Sequence, residues 1–330
     1  MTFKPTRRPI VGMVVIAASL FSAVPLALAQ GAYPERPVTV IVPQGPGGAN
    51  DTIARIVLQK MGTLLGQSFL VDNRPGAGGT IGTAFAAKAR PDGYTLMLTA
   101  DSGQVINPAL YKNPGFDAVK DFAPIATIAS AGYVLVANPA FPPNSVKELV
   151  AYLKGQPAGA VSYASPGNGT LNHLVAEMFK KAAGVDMTHV PYRSSAASAT
   201  DVVGGQVPLS VQSLPSVIGF IKAGKLKVLG VVNEKRISAM PDVPTIAETL
   251  PGVAATPWYG LLAPAGTPPA VISRLHEAAG RALASKDVQE QLAAQGCEVL
   301  VGSSADFVAL IRGDLPKWAR IARESGAQVD

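Results

Sequence analysis

The 330-residue chain is predicted to fold as α/β, with two doubly wound α/β domains and a ligand cleft between them. Three observations predict this. Short β-branched runs alternate with runs whose apolar residues recur at the helical period. The order strand, Gly-rich loop, helix occurs once in each half of the chain, which makes each half a βαβ system with helices on both sheet faces. The chain is 48% apolar and long enough for two cores, but it has one cysteine. No internal disulfide or Cys-rich metal site is therefore available, and packing alone must hold the fold.

The first strand is Val38-Thr39-Val40-Ile41-Val42, closed by Pro43 and glycines. Asn50 or Asp51 is expected to cap the next helix, whose Ile53, Ile56, Val57, Met61 and Leu64 follow one face. A strand at 69–71, a helix at 78–89 and a strand at 96–98 complete a βαβαβ unit and predict a parallel sheet. Pro142 and Pro143 punctuate the chain before a helix at 146–153. The pattern restarts with a strand at 161–163 and a helix carrying Leu171, Leu174, Val175, Met178, Phe179 and Ala182 on one face, ended by Gly184. A strand at 228–232 is followed by a turn-rich stretch through Pro241, Pro244, Pro251 and Gly252. Helices are expected at 271–285, 288–295 and 305–324, the last broken or kinked at Gly313 and Pro316. The boundaries that follow are 30–130 with 253–330 for domain 1 and 131–252 for domain 2.

Residues 1–29 read as a cleaved secretory signal: Lys4, Arg7 and Arg8, an apolar run to Leu28, and Ala27-Leu28-Ala29 before Gln30. Removing it lowers the formal charge from +6 to +3, which gives no basic stripe for nucleic acid. A soluble protein outside the cytoplasm is expected, with no NAD, ATP or other cofactor.

The chemistry is expected in the Gly-rich loops. Loop one is Pro43-Gln44-Gly45-Pro46-Gly47-Gly48-Ala49-Asn50-Asp51, and loop two is Ala164-Ser165-Pro166-Gly167-Asn168-Gly169-Thr170. Each leaves free backbone N–H groups at a helix N-terminus, where the helix dipole favours anions and glycine admits a ligand closely. Small carboxylates are the natural guests. The same loops also read as plain βα turns, but both end a first strand, where open α/β sheets bind ligands. No Lys-Ser/Thr follows the glycines as a phosphate loop requires, and Ile81 interrupts the dinucleotide fingerprint in Gly76-Ala77-Gly78-Gly79-Thr80-Ile81-Gly82. His173 with Glu177 is a single i, i+4 pair, and His189 and His276 lie in other segments, so no metal site is expected. His173 is read either as a helix-face histidine or as a polar contact in the cleft.

These residues resemble the extracytoplasmic solute receptors of the tripartite tricarboxylate transporters, the Bug or TctC family. The resemblance rests on Tyr33-Pro34 with Arg36-Pro37, Pro46-Gly47-Gly48 with Asp51, and Asn73-Arg74-Pro75-Gly76-Ala77-Gly78-Gly79. Further matches are Pro91-Asp92-Gly93-Tyr94, Val119-Lys120-Asp121-Phe122-Ala123-Pro124, Gly167-Asn168-Gly169-Thr170, His189-Val190-Pro191-Tyr192 and Gly260-Leu261-Leu262-Ala263-Pro264. It implies a periplasmic binding fold of type II, a monomer with two interdomain crossovers near Ser130 and before Trp258. Such a receptor closes on a carboxylate and delivers it to large and small membrane subunits. Carried over by position, the first pincer is Pro46, Gly47, Gly48 and Asp51, and the second Ser165, Asn168, Gly169 and Thr170. Thr99, Asp101 and Ser102 would add polar contacts, and Tyr192, Arg193, Gln212 and Trp258 would line the remainder.

Two departures bear on the ligand. Gln44 stands where many relatives have an aromatic residue, and Gln212 where some have an acid. Without that acid an ammonium group has no obvious partner, so the expected ligand is a di- or tricarboxylate or an aromatic acid without an α-amino group. Asp101 facing a carboxylate is unfavourable unless it is protonated, bridged or turned away. The competing readings are a ligand sensor for a membrane kinase, and a hydrolase built from Ser165, His173 and Asp186 or Asp201.

Overall fold

The structure, a computed structural model, describes residues 1–4, 33–327 and 329. The apolar run and cleavage motif of the expected signal lie outside the described residues. Tyr33–Asp330 forms one compact unit and Met1–Ala32 another.

In chain order the larger unit runs β1 (Val38–Val42), α1 (Ala49–Leu65), β2 (Phe69–Asn73), α2 (Thr80–Ala87), β3 (Thr95–Ala100), α3 (Asn107–Leu110) and β4 (Phe122–Ala131). It continues with β5 (Tyr133–Ala137), α4 (Val146–Lys154), β6 (Ser162–Ser165), α5 (Leu171–Ala183), β7 (Thr188–Pro191), α6 (Ser195–Val203), β8 (Leu209–Ser213), α7 (Leu214–Lys222) and β9 (Lys227–Val231). Then follow β10 (Trp258–Pro264), α8 (Pro269–Ala284), α9 (Lys286–Ala294), β11 (Cys297–Val299) and α10 (Ser304–Ser325). The strands form two sheets, in the orders β11-β4-β10-β3-β1-β2 and β7-β6-β8-β5-β9.

The sheets are mixed, which corrects the expectation of a parallel sheet. β1, β2 and β3 are parallel, as are β6, β7 and β8, but β10 runs antiparallel to β3 and β4, and β5 antiparallel to β8 and β9. The reason is the route of the chain. β5 enters the second sheet directly from β4 and β10 re-enters the first from β9, so neither has the crossover helix that returns a strand in parallel. Gly132 alone separates β4 from β5. Asn233, on the return passage, straddles it: its Oδ1 accepts from Tyr133 N–H at 2.7 Å and its Nδ2 donates to the Ala131 carbonyl at 3.0 Å.

Most predicted helices form, with two corrections. Neither Asn50 nor Asp51 is the cap of α1; Gly48 is, and Asp51 reaches back from the first turn so that Gly47 N–H donates to its carboxylate at 3.1 Å. α10 continues through Gly313 and Pro316 without a break. Its apolar face, Phe307, Ile311, Trp318 and Ala322, is buried, whereas Pro316 is exposed, so water can satisfy the carbonyl that the proline leaves unpaired. The Trp258 indole N–H donates to Asp314 at 2.7 Å and fixes the middle of the helix.

Gly260 on β10 has no room for a side chain, because an added Cβ would overlap the Phe307 ring. Gly260→Ala is expected to cost about 1–3 kcal/mol in urea or thermal unfolding, and a second change, Phe307→Leu, to recover part of it. Unaltered stability in Gly260→Ala would remove this contact from the account of the core.

Candidate functional site

Wherever a strand leads into a helix, the helix N-terminus lies at the C-terminal end of that strand. Four such junctions meet here: β1 to α1, β6 to α5, β7 to α6 and β8 to α7. Gly48 and Asn50 of the first, Thr170 and Asn172 of the second, Ser195 of the third and Ser213 of the fourth line one cavity of about 20 Å³. Ser102, Tyr133 and Tyr259 complete its polar wall, with Gln44 and Pro166 at the boundary. The volume suits about one water molecule. Its described lining contains no Lys, Arg, His, Asp or Glu. Hydroxyls, amides and helix N-termini are what it offers, and those stabilise negative charge without a cation. Asn50 is 4% exposed and its Oδ1 has no hydrogen-bond partner.

The two loops are held against opposite elements. Loop one lies on the start of α6, where a Cβ on Gly45 would stand 2.8 Å from Ser194 Cβ and one on Gly48 3.5 Å from Ser195 Oγ. Loop two lies on the first-sheet elements: the Tyr111 hydroxyl donates to the Asn168 carbonyl at 3.3 Å, and a Cβ on Gly78 would meet that oxygen at 2.8 Å. Gly169, at φ 76°, would put a Cβ 2.9 Å from the Tyr111 ring and 3.1 Å from Asn107 Oδ1.

A second pocket of about 560 Å³ adjoins the first, sharing Gln44 and Pro166 with it. Gly76 to Gly79, Tyr111, Asn168, Tyr192 and Arg193 line it. Arg193 is its single charged lining residue among those described, and no ion pair of Arg193 occurs among the described residues. A separate groove of about 730 Å³ lies beside Gly132 and Asn233, where Glu234, Lys235, Arg236 and Glu298 mix both signs of charge and no helix ends converge.

Of the residues expected from sequence, Gln44, Gly48, Ser102 and Thr170 line the inner cavity, and Gln44, Asn168, Tyr192 and Arg193 the outer pocket. Pro46, Gly47, Asp51, Ser165, Gly169 and His173 line neither pocket. Burial pushes the Asp51 carboxyl up, but hydrogen bonds from Arg55, Gly47 and Asn73, with the charge of Arg55, outweigh it and hold the group below its usual range. Ser165 Oγ lies 2.6 Å from His189 Nε2, and Gly169 N–H donates to His173 Nδ1 at 3.4 Å.

Four further expected residues also line neither pocket. Thr99 is fully buried and turns its hydroxyl to the Ala100 carbonyl. Gln212 shares a sheet face with Ser210, and its Nε2 donates to Ser198 and Ser210 beneath α6. Trp258 faces α10 through Asp314. Asp101 caps the turn at Ser102–Ile106, accepting from Ser102 N–H at 2.7 Å, while its Oδ2 is buried without a partner. Burial pushes its carboxyl up to about 8, and the charge of Asp314 adds to this. Asp101 is thus both turned away and neutral. Missed from sequence were Asn50, Asn172, Ser195, Ser213, Tyr133 and Tyr259 as lining; Ser194-Ser195 and Ser213-Leu214-Pro215 do carry helix-start signals.

The hydrolase set does not assemble. Ser165 pairs with His189 rather than His173, Asp201 accepts from the Tyr192 hydroxyl, and Asp186 pairs with Lys180. Ser165 is fully buried.

The fold is shared with known relatives. The family model of the tripartite tricarboxylate transporter family receptor, TctC, matches residues 53–327. The chain belongs to this family. It is 36% identical to the periplasmic binding protein BugD, with a TM-score of 0.85 over 90% of this chain and 99% of that one. Rpa4515 of R. palustris, solved with adipate, is 32% identical, with a TM-score of 0.86 over 90% of this chain and 99% of that one. MatC of Rhodopseudomonas palustris, solved with malate, is 30% identical, with a TM-score of 0.82 over 88% of this chain and 99% of that one.

Two outcomes test this arrangement. In the fold Asp101 keeps its proton to about pH 8 against an ordinary value of 3.8, so the folded state binds more protons between those limits and stability falls as pH rises through them. Denaturation of Asp101→Asn is expected to lack that fall, so the variant gains on the parent from about pH 5 to about pH 8; parallel profiles would mean an ionised Asp101. Gly169→Val combines a strained φ with contact against Tyr111 and Asn107, and is expected to weaken ligand binding by more than about tenfold while the chain still folds. Calorimetry giving the parent's affinity would refute that placement of loop two.

Proposed function

We propose that this chain is a periplasmic receptor that captures a small carboxylate without an α-amino group and hands it to the membrane subunits of a tripartite tricarboxylate transporter. It acts as a non-enzymatic monomer after loss of residues 1–29. The observation that carries the reading is the convergence of four helix N-termini on a cavity with no charged side chain. One carboxylate is held there by backbone N–H groups and hydroxyls, directly or through water. The same lining offers no carboxylate to an ammonium group, which supports an amine-free ligand; adipate and malate, bound by the two relatives, are of that kind.

The two sheets are taken as the cores of two lobes, residues 30–130 with 253–330 and residues 131–252. A cavity of about 20 Å³ admits a carboxylate only when the lobes part. Parting about Gly132 and the return passage near Asn233 leaves each sheet intact, which is how hinge closure operates. Pro46, Gly47, Gly48 and Asp51 serve as one jaw, and Ser165, Asn168, Gly169 and Thr170 as the other. Arg193 in the outer pocket receives a second anionic group on the ligand.

Thermal denaturation against mono-, di- and tricarboxylates, aromatic acids and amino acids tests the reading. A ligand at about a hundred times its Kd stabilises by about 2.7 kcal/mol, a rise of several degrees at about 2–4 °C per kcal/mol. A selective rise with an amine-free acid is expected; a rise confined to aspartate or glutamate would overturn the ligand class. Arg193→Gln is expected to weaken adipate binding roughly tenfold or more and to spare the corresponding monocarboxylate. Equal losses for both acids would remove Arg193 from ligand recognition.

A further inference from the structure

Beneath loop two lies a stack of three rings. His173 in the first turn of α5 stacks on His189 of β7 with centroids 4.4 Å apart and planes 10° apart. His189 stacks in turn on Tyr163 of β6 at 4.8 Å and 13°. Each histidine ends a hydrogen-bond chain that begins at a loop amide. Gly169 N–H donates to His173 Nδ1 at 3.4 Å. Gly167 N–H donates to Ser165 Oγ at 3.1 Å, and Ser165 Oγ is 2.6 Å from His189 Nε2. The amides of Gly167 and Gly169 are thus drawn back to the rings, while those of Leu171 and Asn172, at the start of α5, have no acceptor within the helix and stay free for an anion.

We propose that the His173–His189 pair positions loop two for anion binding through two ring lone pairs, with His189, unassigned by the sequence reading, as the positioning residue at Ser165. This rests on the receptor function proposed above. Ser165 Oγ accepts from Gly167 N–H, and its one proton has two acceptors in reach, His189 Nε2 at 2.6 Å and the Gly167 carbonyl at 3.3 Å; the proposal gives it to the nearer, His189 Nε2. His189 is then the Nδ1–H tautomer and His173 the Nε2–H tautomer, both neutral. A proton on His173 Nδ1 would set one donor against another and release Gly169; a proton on His189 Nε2 would make Ser165 the acceptor and turn its hydroxyl proton to the Gly167 carbonyl, which changes the hydrogen bonds that hold the loop.

The surroundings favour the neutral pair. Burial is the main cause that pushes His189 down to about 4, with the charges of His173 and Lys180 adding to it. His173 is lowered as well, chiefly by burial, with Lys180 lowering and Glu177 opposing. The remaining charged and titratable groups of the cluster are tied to one another: Tyr163 donates to Glu177 at 2.6 Å, and Lys180 pairs with Glu177 and Asp186 at 3.1 Å each. Two cationic rings stacked at 4.4 Å would repel. Protons and ligand therefore compete for the loop, and by linkage a bound ligand makes the pair harder to protonate.

Imidazole nitrogen NMR of the purified protein near pH 7.5 tests the tautomers without a ligand. Neutral rings with protons on His173 Nε2 and His189 Nδ1 are expected; a cationic ring, or a proton on His189 Nε2, overturns the proposal. Calorimetry with adipate then compares the parent, His189→Gln and His189→Phe near pH 7.5, well above the value to which burial lowers His189. His189→Phe keeps the stack and loses the acceptor, so its Kd should rise about tenfold or more. His189→Gln restores an acceptor and should recover most of the affinity. Parent-like adipate affinity in His189→Phe, or affinity in His189→Gln no better than in His189→Phe, overturns the positioning role. Should His189→Phe fail to fold, the tautomers decide. If the parent itself binds no acid of the thermal panel, the receptor reading fails separately; exchange of the Gly167 and Gly169 amides then stands in for affinity, expected near the parent's rate in His189→Gln and at least about tenfold faster in His189→Phe, with equal rates in all three counting against the proposal.

Discussion

The dependence of everything else on one constraint is geometric: after a parallel strand, the following helix must begin at that strand's C-terminal end. All helix N-termini of such a sheet therefore share one edge. β1 delivers α1 to this edge, and β6, β7 and β8 deliver α5, α6 and α7. Two edges meeting turn four sets of unpaired N–H groups toward one small space, and that is a site for negative charge. No cation is needed there, and the described lining has none. Charge complementarity is replaced by the number and direction of donors.

On the proposed receptor function this site must also open. The economy of the connection between the sheets provides for that: a single residue, Gly132, on the way out, and Asn233 binding both sides of it from the way back. The apolar core is continuous past this point. One buried cluster includes Met97 beside the first sheet, Phe307 and Trp318 of α10, and Leu174 and Val211 of the second sheet's layer. α10 thus packs where both sheets are felt, and its unbroken course through Pro316 is part of that packing. At the contact surface itself, glycines at 45, 48 and 78 let backbone meet backbone or small side chains, and Gly169 makes room for the Tyr111 ring.

Titratable groups near the site are kept from competing with it. Asp101 is turned from the cavity and held neutral by burial, Asp51 is spent on Gly47 and Arg55, and the two histidines below loop two are held neutral and used as acceptors. Only Arg193, in the outer pocket, offers a full charge without an ion pair among the described residues. On the proposed function, the inner cavity treats any carboxylate alike and discrimination among acids falls to the outer pocket.

Much of this was legible in the residues themselves. Helical periods located α1, α4 and α5, because each presents one buried face to a local partner, and a run of β-branched residues located β1 although nearly all of it is buried. The glycines of the two loops located two of the four helix N-termini, and the family resemblance is matched over residues 53–327, which include the second loop. The fully buried strands β5 and β10 could not be read this way, since a strand covered on both faces has no alternation. Nor could the antiparallel entry of those strands, which depends on the chain leaving one sheet for the other. Gln212 and Trp258 lie on the right strands but point to the wrong face, and strand position alone does not choose between faces when both are buried. Ser195 and Ser213 have ordinary helix-start sequences, and only the meeting of the two sheet edges makes them part of a site. What the sequence by itself determined was therefore local: which segments form helices and strands, and where loop glycines leave N–H groups free. Which of those free groups face one another was decided by tertiary structure alone, because it depends on contacts between residues more than a hundred positions apart, as Gly48 is from Ser195.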